Sequence, residues 1–198
     1  MSKLREAFEK GEFAITAEMA PPKGTDLSHL AECAKLVIGR VHAANVTDNQ
    51  SAVMRTSSLA TCKMLKDLGL EPVIQMTGRD RNRIAIESEM LSAGFFGIDN
   101  LLALTGDHVC VGDHKQAKPV FDLDAVSILS TATMMNNGTD STGLELKGKT
   151  DFFLGACVTP EYDPIEVQLL KMEKKIKAGA KFFQTQAVYD IEPVSYTH

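Results

Sequence analysis

Six apolar runs of strand length, each separated from the next by a segment of helical periodicity, are what most constrains this chain. The runs are FAITAEMA (13–20), VHAANVTD (41–48), EPVIQMT (71–77), NLLALTGD (100–107), FFLGACVT (152–159) and KFFQTQAVYD (181–190). Between them, residues 27–39, 57–69, 82–94, 122–138 and 164–180 carry apolar side chains three and four apart, the spacing that builds one stripe along a helix. Gly39, Gly69, Gly94, Gly138 and Gly179 stand where these helices are expected to stop. Strand followed by helix, repeated, dictates a parallel sheet with right-handed crossovers, so the choice narrows to a (β/α)8 barrel or an open doubly wound sheet. No G-x-G-x-x-G follows the first run, which removes the main support for a dinucleotide-binding open sheet and leaves the α/β TIM barrel as the expected fold.

A complete barrel has eight strands on about 250 residues. With 198 residues and six strand-like runs, the expectation is a single domain, residues 1–198, making up the N-terminal three quarters of a barrel truncated after about six β/α units. A six-stranded remnant has two free edges, which are a pairing hazard, so a piece of a longer gene product is a plainer account than a complete six-unit fold. The polar stretch GTDSTGLELKGK (138–149) reads as a surface connection.

The formal charge of −5 and pI near 5.5 give no general attraction to nucleic acid or to an anionic membrane, and the basic residues are scattered. Cys33, Cys62, Cys110 and Cys157 lie far apart with no CxxC pair, so core thiols in a reducing compartment are expected rather than a metal site or a disulfide framework. No charged start leads into an apolar run, and no stretch reaches the roughly 18 apolar residues of a membrane span. A cytoplasmic protein is expected.

In barrels the chemistry sits at the C-terminal ends of the strands. Glu18, Thr47 with Asp48, Gln75 with Thr77, Thr105 with Asp107, Thr159 with Glu161, and Gln184 with Gln186 all fall at or near such ends. Glu18 stands out, because an ionised carboxylate buried in a strand without a partner costs several kcal/mol. It is either paired with a basic side chain of a neighbouring loop or kept for chemistry.

TAEMAPPKG, ANVTDNQSAVMRTSS, IQMTGRDRNR, LLALTGDH with KPVFDLDAVSIL, and KKIKAGAKFFQTQAVYD, in this order from about Phe13 to Asp190, resemble the methylenetetrahydrofolate reductase family. They look most like its anaerobe-associated branch and the reductase half of bifunctional homocysteine methyltransferase fusions. The resemblance implies a (β/α)8 barrel with one FAD at its mouth, which reduces 5,10-methylenetetrahydrofolate to 5-methyltetrahydrofolate by hydride transfer from reduced flavin N5. It implies that Glu18 is the general acid that opens the five-membered folate ring, a task that needs a pKa raised by a partly desolvated site. It places Asp107 beside flavin and pterin, where its charge favours hydride donation and a cationic iminium, and gives Gln186 a hydrogen bond to the folate. Thr47, Gln75, Thr105, Gly106, Asp107, Thr159, Lys171, Lys174 and Lys175 are the implied flavin contacts. The folate substrate is implied as a partner, as is an electron donor, either NAD(P)H or a reduced carrier with an iron–sulfur subunit; an oligomer is expected.

Plainer readings stand beside these. Asp107 also suits a turn after a strand, each glutamine a satisfied amide, and the KMEKK run a solvated helical face. Arg79, Arg81 and Arg83 read as decoration of a loop rather than as ligands of a phosphate or a glutamate tail. The better-known bacterial reductases carry histidine, arginine and histidine where this chain has Gln75, Thr105 and Thr159. Two rivals remain: a different barrel enzyme, such as an aldolase or sugar-phosphate isomerase, and a non-catalytic or incomplete barrel subunit. No lysine stands at any of the six strand ends, as the former would want.

Overall fold

The structure, a computed structural model, describes residues 1–189. Asp190, the last residue of the sixth expected strand, and the tail beyond it lie outside the described residues. The strands are β1 (Thr16–Met19), β2 (Ala43–Val46), β3 (Pro72–Thr77), β4 (Asn100–Leu104), β5 (Phe153–Cys157) and β6 (Phe182–Gln184). They form one parallel sheet in chain order. The helices between them are α2 (Ser28–Val37), α3 (Ser58–Asp67), α4 (Arg83–Phe95), α5 (Ala125–Asn136) and α6 (Ile165–Lys177). The fold is TIM-barrel-like, and among the described residues β1 and β6 each pair on one side only.

Strand alternation divides the apolar residues into two layers. Met19, Val46, Ile74, Met76, Leu101 and Leu154 face outward and bury themselves against the helices, where they meet Leu65, Ile86, Met90, Ile128, Leu129 and Met135. Each such side chain taken fully from water contributes about 1.5–3 kcal/mol, so this shell is the main source of stability. The alternate positions, Ala43, Val73, Leu102, Phe153 and Phe182, face inward around Leu4. Gly155 lies in this inner layer because the Phe182 ring fills the place of its side chain; a Cβ there would stand 2.2 Å from the ring.

Leu4 belongs to a helix that the strand-and-helix alternation did not reveal, α1 (Lys3–Glu9). It closes the barrel at the N-terminal ends of the strands. Phe8 packs on Phe153 and Phe182 at ring-centroid distances of 5.6 and 5.8 Å. The hydroxyl of Ser2 caps the helix by accepting from the N–H of Arg5, and donates to Asn100 Oδ1 at 2.7 Å. Arg5 holds both carboxylate oxygens of Asp151 at 3.0–3.1 Å. The segment is short and rich in charge, so its periodicity was too brief to read.

Two expectations need correction. Gly94 does not end α4: the helix runs through it to Phe95, and Gly97, at φ +69°, makes the turn. Gly94 is instead a point of close packing, where a Cβ would come within 3.2 Å of the Thr150 methyl. Of the four thiols only Cys62 is fully buried. Cys33 and Cys157 are half-buried and Cys110 is exposed on the loop after β4, so the thiols are free but not all in the core. The 138–149 stretch is a surface connection organised by Asp140, whose carboxylate accepts from the N–H groups of Thr142 and Leu144. Among the described residues no helix is long and apolar enough to cross a membrane.

Candidate functional site

The C-terminal ends of the strands open into a cleft of about 830 Å³. Glu18 lines it from β1, Thr47 and Asp48 from the end of β2, Gln75 and Thr77 from β3, and Leu104, Thr105, Gly106 and Asp107 from β4 and its loop. Cys157 and Thr159 come from β5, Lys171 from α6, and Gln184 and Gln186 from β6 and the residues after it. Parallel strands with the same inward alternation bring together residues up to 168 positions apart, from Glu18 to Gln186.

Glu18 is exposed, against the expectation of a buried strand carboxylate. β1 is an edge strand whose inner face turns to the open cleft, so the side chain meets solvent rather than protein. No basic side chain pairs with it among the described residues. Its register partner on β2 is Asn45, which sequence inspection passed over as one more residue of an apolar strand. Asn45 is 7% exposed and accepts at Oδ1 from Gln184 Nε2 at 2.8 Å, across the barrel interior from β6. That bond fixes the Gln184 amide. Gln186, two residues on, is exposed in the cleft.

The end of β2 is held by charge. Asp48, 5% exposed, accepts from both the N–H and the hydroxyl of Thr77 at 2.9 Å and is ion-paired with Arg81. Arg81 also pairs with Glu89 of α4. Burial pulls the Arg81 pKa down, but the two carboxylates outweigh it and hold it above the usual arginine value. Burial dominates at Glu89 and raises its pKa, with Arg81 opposing and Asp48 adding. Arg83 makes an exposed pair with Asp122. Arg81 is thus committed to two carboxylates inside the protein, whereas the Arg83 pair lies at the surface.

Arg79 differs, since it is 2% exposed and yet borders the cleft. Its Nε and Nη2 donate to Asp80 at 2.9 and 2.7 Å, its Nη2 also to the carbonyl of Asn49 at 3.1 Å, and its Nη1 to the carbonyl of Asp107 at 3.3 Å. Burial would raise the Asp80 pKa, but its contacts with Arg79, Asn49 and Arg81 hold it below the usual range. The signal in the sequence was an Arg-Asp pair directly after a strand, which a run of other arginines obscured.

The remaining predicted residues divide. The Thr105 hydroxyl accepts from the N–H of Ala125 at 3.2 Å, so it caps the start of α5 while bordering the cleft. The Asp107 carboxylate is exposed and accepts no hydrogen bond among the described residues, while its carbonyl is held by Arg79. Lys171 reaches the cleft, 5.9 Å from the Tyr162 ring centroid. Lys175, expected as a flavin contact, lies outside the lining; it donates to the carbonyl of Cys157 at 2.5 Å, and burial lowers its pKa. Burial raises the pKa of the Cys157 thiol. Lys174 and Glu161 are exposed and lie outside the lining.

The donor set fits a planar heteroaromatic group such as a flavin. Neutral amides and hydroxyls at Gln75, Thr159, Gln184 and Gln186 match edges that both donate and accept. The hydroxyl of Thr47, buried and bordering the cleft, has no partner among the described residues. An unsatisfied buried hydroxyl is costly, and a ligand in the cleft would satisfy it.

Two crystal forms of 2,3-dimethylmalate lyase, described as a PEP mutase/isocitrate lyase superfamily member, superpose on this chain with TM-scores of 0.65 and 0.61. Identity is 12% and 10%, and the matches cover 99% and 100% of this chain. They cover 66% and 67% of the lyase, so the chain spans about two thirds of the length of these barrels. At such identity the likeness speaks for the fold alone. The family model for methylenetetrahydrofolate reductase matches residues 3–196, nearly the whole sequence. With that match added to the barrel and its polar mouth, the chain belongs to the methylenetetrahydrofolate reductase family.

Proposed function

We propose that the cleft reduces 5,10-methylenetetrahydrofolate to 5-methyltetrahydrofolate with FAD as its cofactor. The observation that carries this reading is the gathering of Glu18, Asp107, Gln186, Thr47 and Gln75 in one cleft of a chain from this family. FAD, when bound there, supplies the hydride. Thr47, Gln75 and Thr159 present neutral hydrogen-bonding groups to it, and Lys171 is the free-standing cation among the lining residues named above. Gln186 holds the folate edge, while Gln184, its amide fixed by Asn45, keeps the neighbouring wall in place.

Glu18 delivers the proton that opens the folate ring. The carboxyl is exposed in the structure and lines the open cleft, so ligands filling the cleft would enclose it beside the folate. Asp107 faces the substrate with its carboxylate and stabilises the positive charge that develops on it. Gln75, Thr105 and Thr159 stand where the better-known bacterial reductases carry histidine, arginine and histidine, replacements that the anaerobe-associated branch also tolerates. The electrons arrive as NAD(P)H or from a reduced carrier through an iron–sulfur subunit.

The test is anaerobic mixing of the purified, flavin-reduced protein with methylenetetrahydrofolate. Return of the oxidised flavin spectrum is expected, and Glu18→Gln should slow it by about 10²–10⁴ while flavin binding persists. A protein that takes up no flavin, or a Glu18→Gln variant reoxidised at full rate, would refute the assignment.

A further inference from the structure

We propose that Arg79 is a positioning residue that fixes Asp107 and the end of β2 with respect to one another, an inference that rests on the reading of the cleft given above. A guanidinium has five N–H groups. In Arg79 the Nε–H and three further donations, to Asp80, Asn49 and Asp107, account for all but one of them. A side chain so committed cannot clamp a phosphate or a carboxylate of the ligand. What it does is join three consecutive βα loops: Asn49 follows β2, Arg79 and Asp80 follow β3, and Asp107 follows β4.

The loops at either side of this joint need it. Asn49 sits at φ +45°, a left-handed conformation that is uncommon for a residue with a side chain, two positions after the unpartnered Thr47. Its carbonyl accepts from Arg79, and its side-chain amide donates to Asp80 at 3.4 Å. On the other side Gly106, at φ +89°, is the hinge that carries Asp107. A Cβ on Gly106 would lie 3.3 Å from the Cβ of Arg79 and 3.0 Å from that of Thr77, so the stem of Arg79 walls the hinge while its head holds the carbonyl one residue on. Thr105 on one side, which accepts from the N–H of Ala125, and His108 on the other, stacked on Phe121, anchor the flanks of this loop, but the fork alone holds the Asp107 carbonyl, and the Asp107 carboxylate has no partner of its own among the described residues. Without the fork, the charge opposite the substrate would be present but free to swing away, and its effect on the reaction would fade.

Lysine keeps the charge and most of the buried stem but loses the fork, so Arg79→Lys is the informative change. The experiment is a double-mutant cycle with Asp107→Asn, read as the rate at which methylenetetrahydrofolate reoxidises the reduced flavoprotein. In the native background Asp107→Asn should cost at least about tenfold, and in the Arg79→Lys background less than about threefold, since coupled residues are non-additive. Equal costs in both backgrounds overturn the proposal. Amide hydrogen exchange on the same proteins without ligand gives a readout independent of turnover. Arg79→Lys should speed exchange at 49–52 and 105–109 by about tenfold or more while Ile74 and Met76 of β3 keep their protection. Uniform acceleration, or none, overturns it. If the native protein shows no flavin or no turnover, the proposed function fails, and the exchange result alone decides the role of Arg79.

Discussion

At the scale of single residues, the mouth combines carboxylates in opposite settings. Glu18 and Asp107 are exposed, whereas Asp48 and Glu89 share one guanidinium inside the protein, two negative charges to one positive. The pKa of Glu89 is raised in the fold by burial, so its contribution to stability is complete below its ordinary value of 4.5 and is lost as pH rises through the raised one. Glu89→Gln should therefore leave Arg81 matched by Asp48 alone and gain stability relative to the native chain as pH rises from about 4 to about 8. Urea midpoints across that range measure it, and a variant that loses stability towards the alkaline end would contradict the charge count. Glu18 was legible in the sequence as a carboxylate out of place in a strand. Its exposure was not, because the pattern of one strand does not say whether the inner face meets a neighbour or an opening. Arg79 and Asn45 escaped for a different reason: both act through partners distant in the chain, 28 positions on for the Asp107 carbonyl and 139 for Gln184, on other strands and loops.

At the scale of elements, the six strands and the five helices between them follow from apolar spacing, with ends displaced by a few residues where polar caps and turns decide them, except that β6, expected over 181–190, stops at Gln184, and 185–189 continue past it outside the sheet. Asn82, for example, caps α4 by accepting from the N–H of Ala85, and Asp124 caps α5 by accepting from that of Ser127. α1 was missed because its packing, not its periodicity, makes it a helix: seven residues are too few to stand alone. It follows that α1 depends on its burial. Leu4→Ala should destabilise the protein by about 2–5 kcal/mol, since the side chain is fully enclosed under the barrel. The cleft lies at the opposite end of the strands, so flavin affinity at a temperature where the variant is folded should be unchanged. Denaturation and flavin titration on the same variant separate the two effects; a large loss of affinity would mean that the floor shapes the mouth.

At the scale of the whole molecule, the sheet order and the single polar mouth were expected from the sequence, whereas register, the cross-barrel Asn45–Gln184 bond and the joint at Arg79 come only from the assembled strands. A cofactor that binds the folded cleft and not the unfolded chain must raise stability, by about 2.7 kcal/mol at a free concentration one hundred times its dissociation constant. Added FAD should accordingly raise the melting temperature, and the rise should grow with FAD concentration; a melting curve indifferent to FAD would argue against the cleft as its site. The helix under the barrel has a further consequence, for synthesis rather than for stability. Its aromatic contacts are Phe153 and Phe182, so this turn of chain, once made, has to wait for nearly the last strand described. At about 5–20 residues per second, that delay is roughly 10–35 s, during which Leu4, Ala7 and Phe8 have no place to dock. Over that interval the apolar face of α1 stays open to water, and the seating of α1 marks the moment at which the inner layer of the barrel is covered.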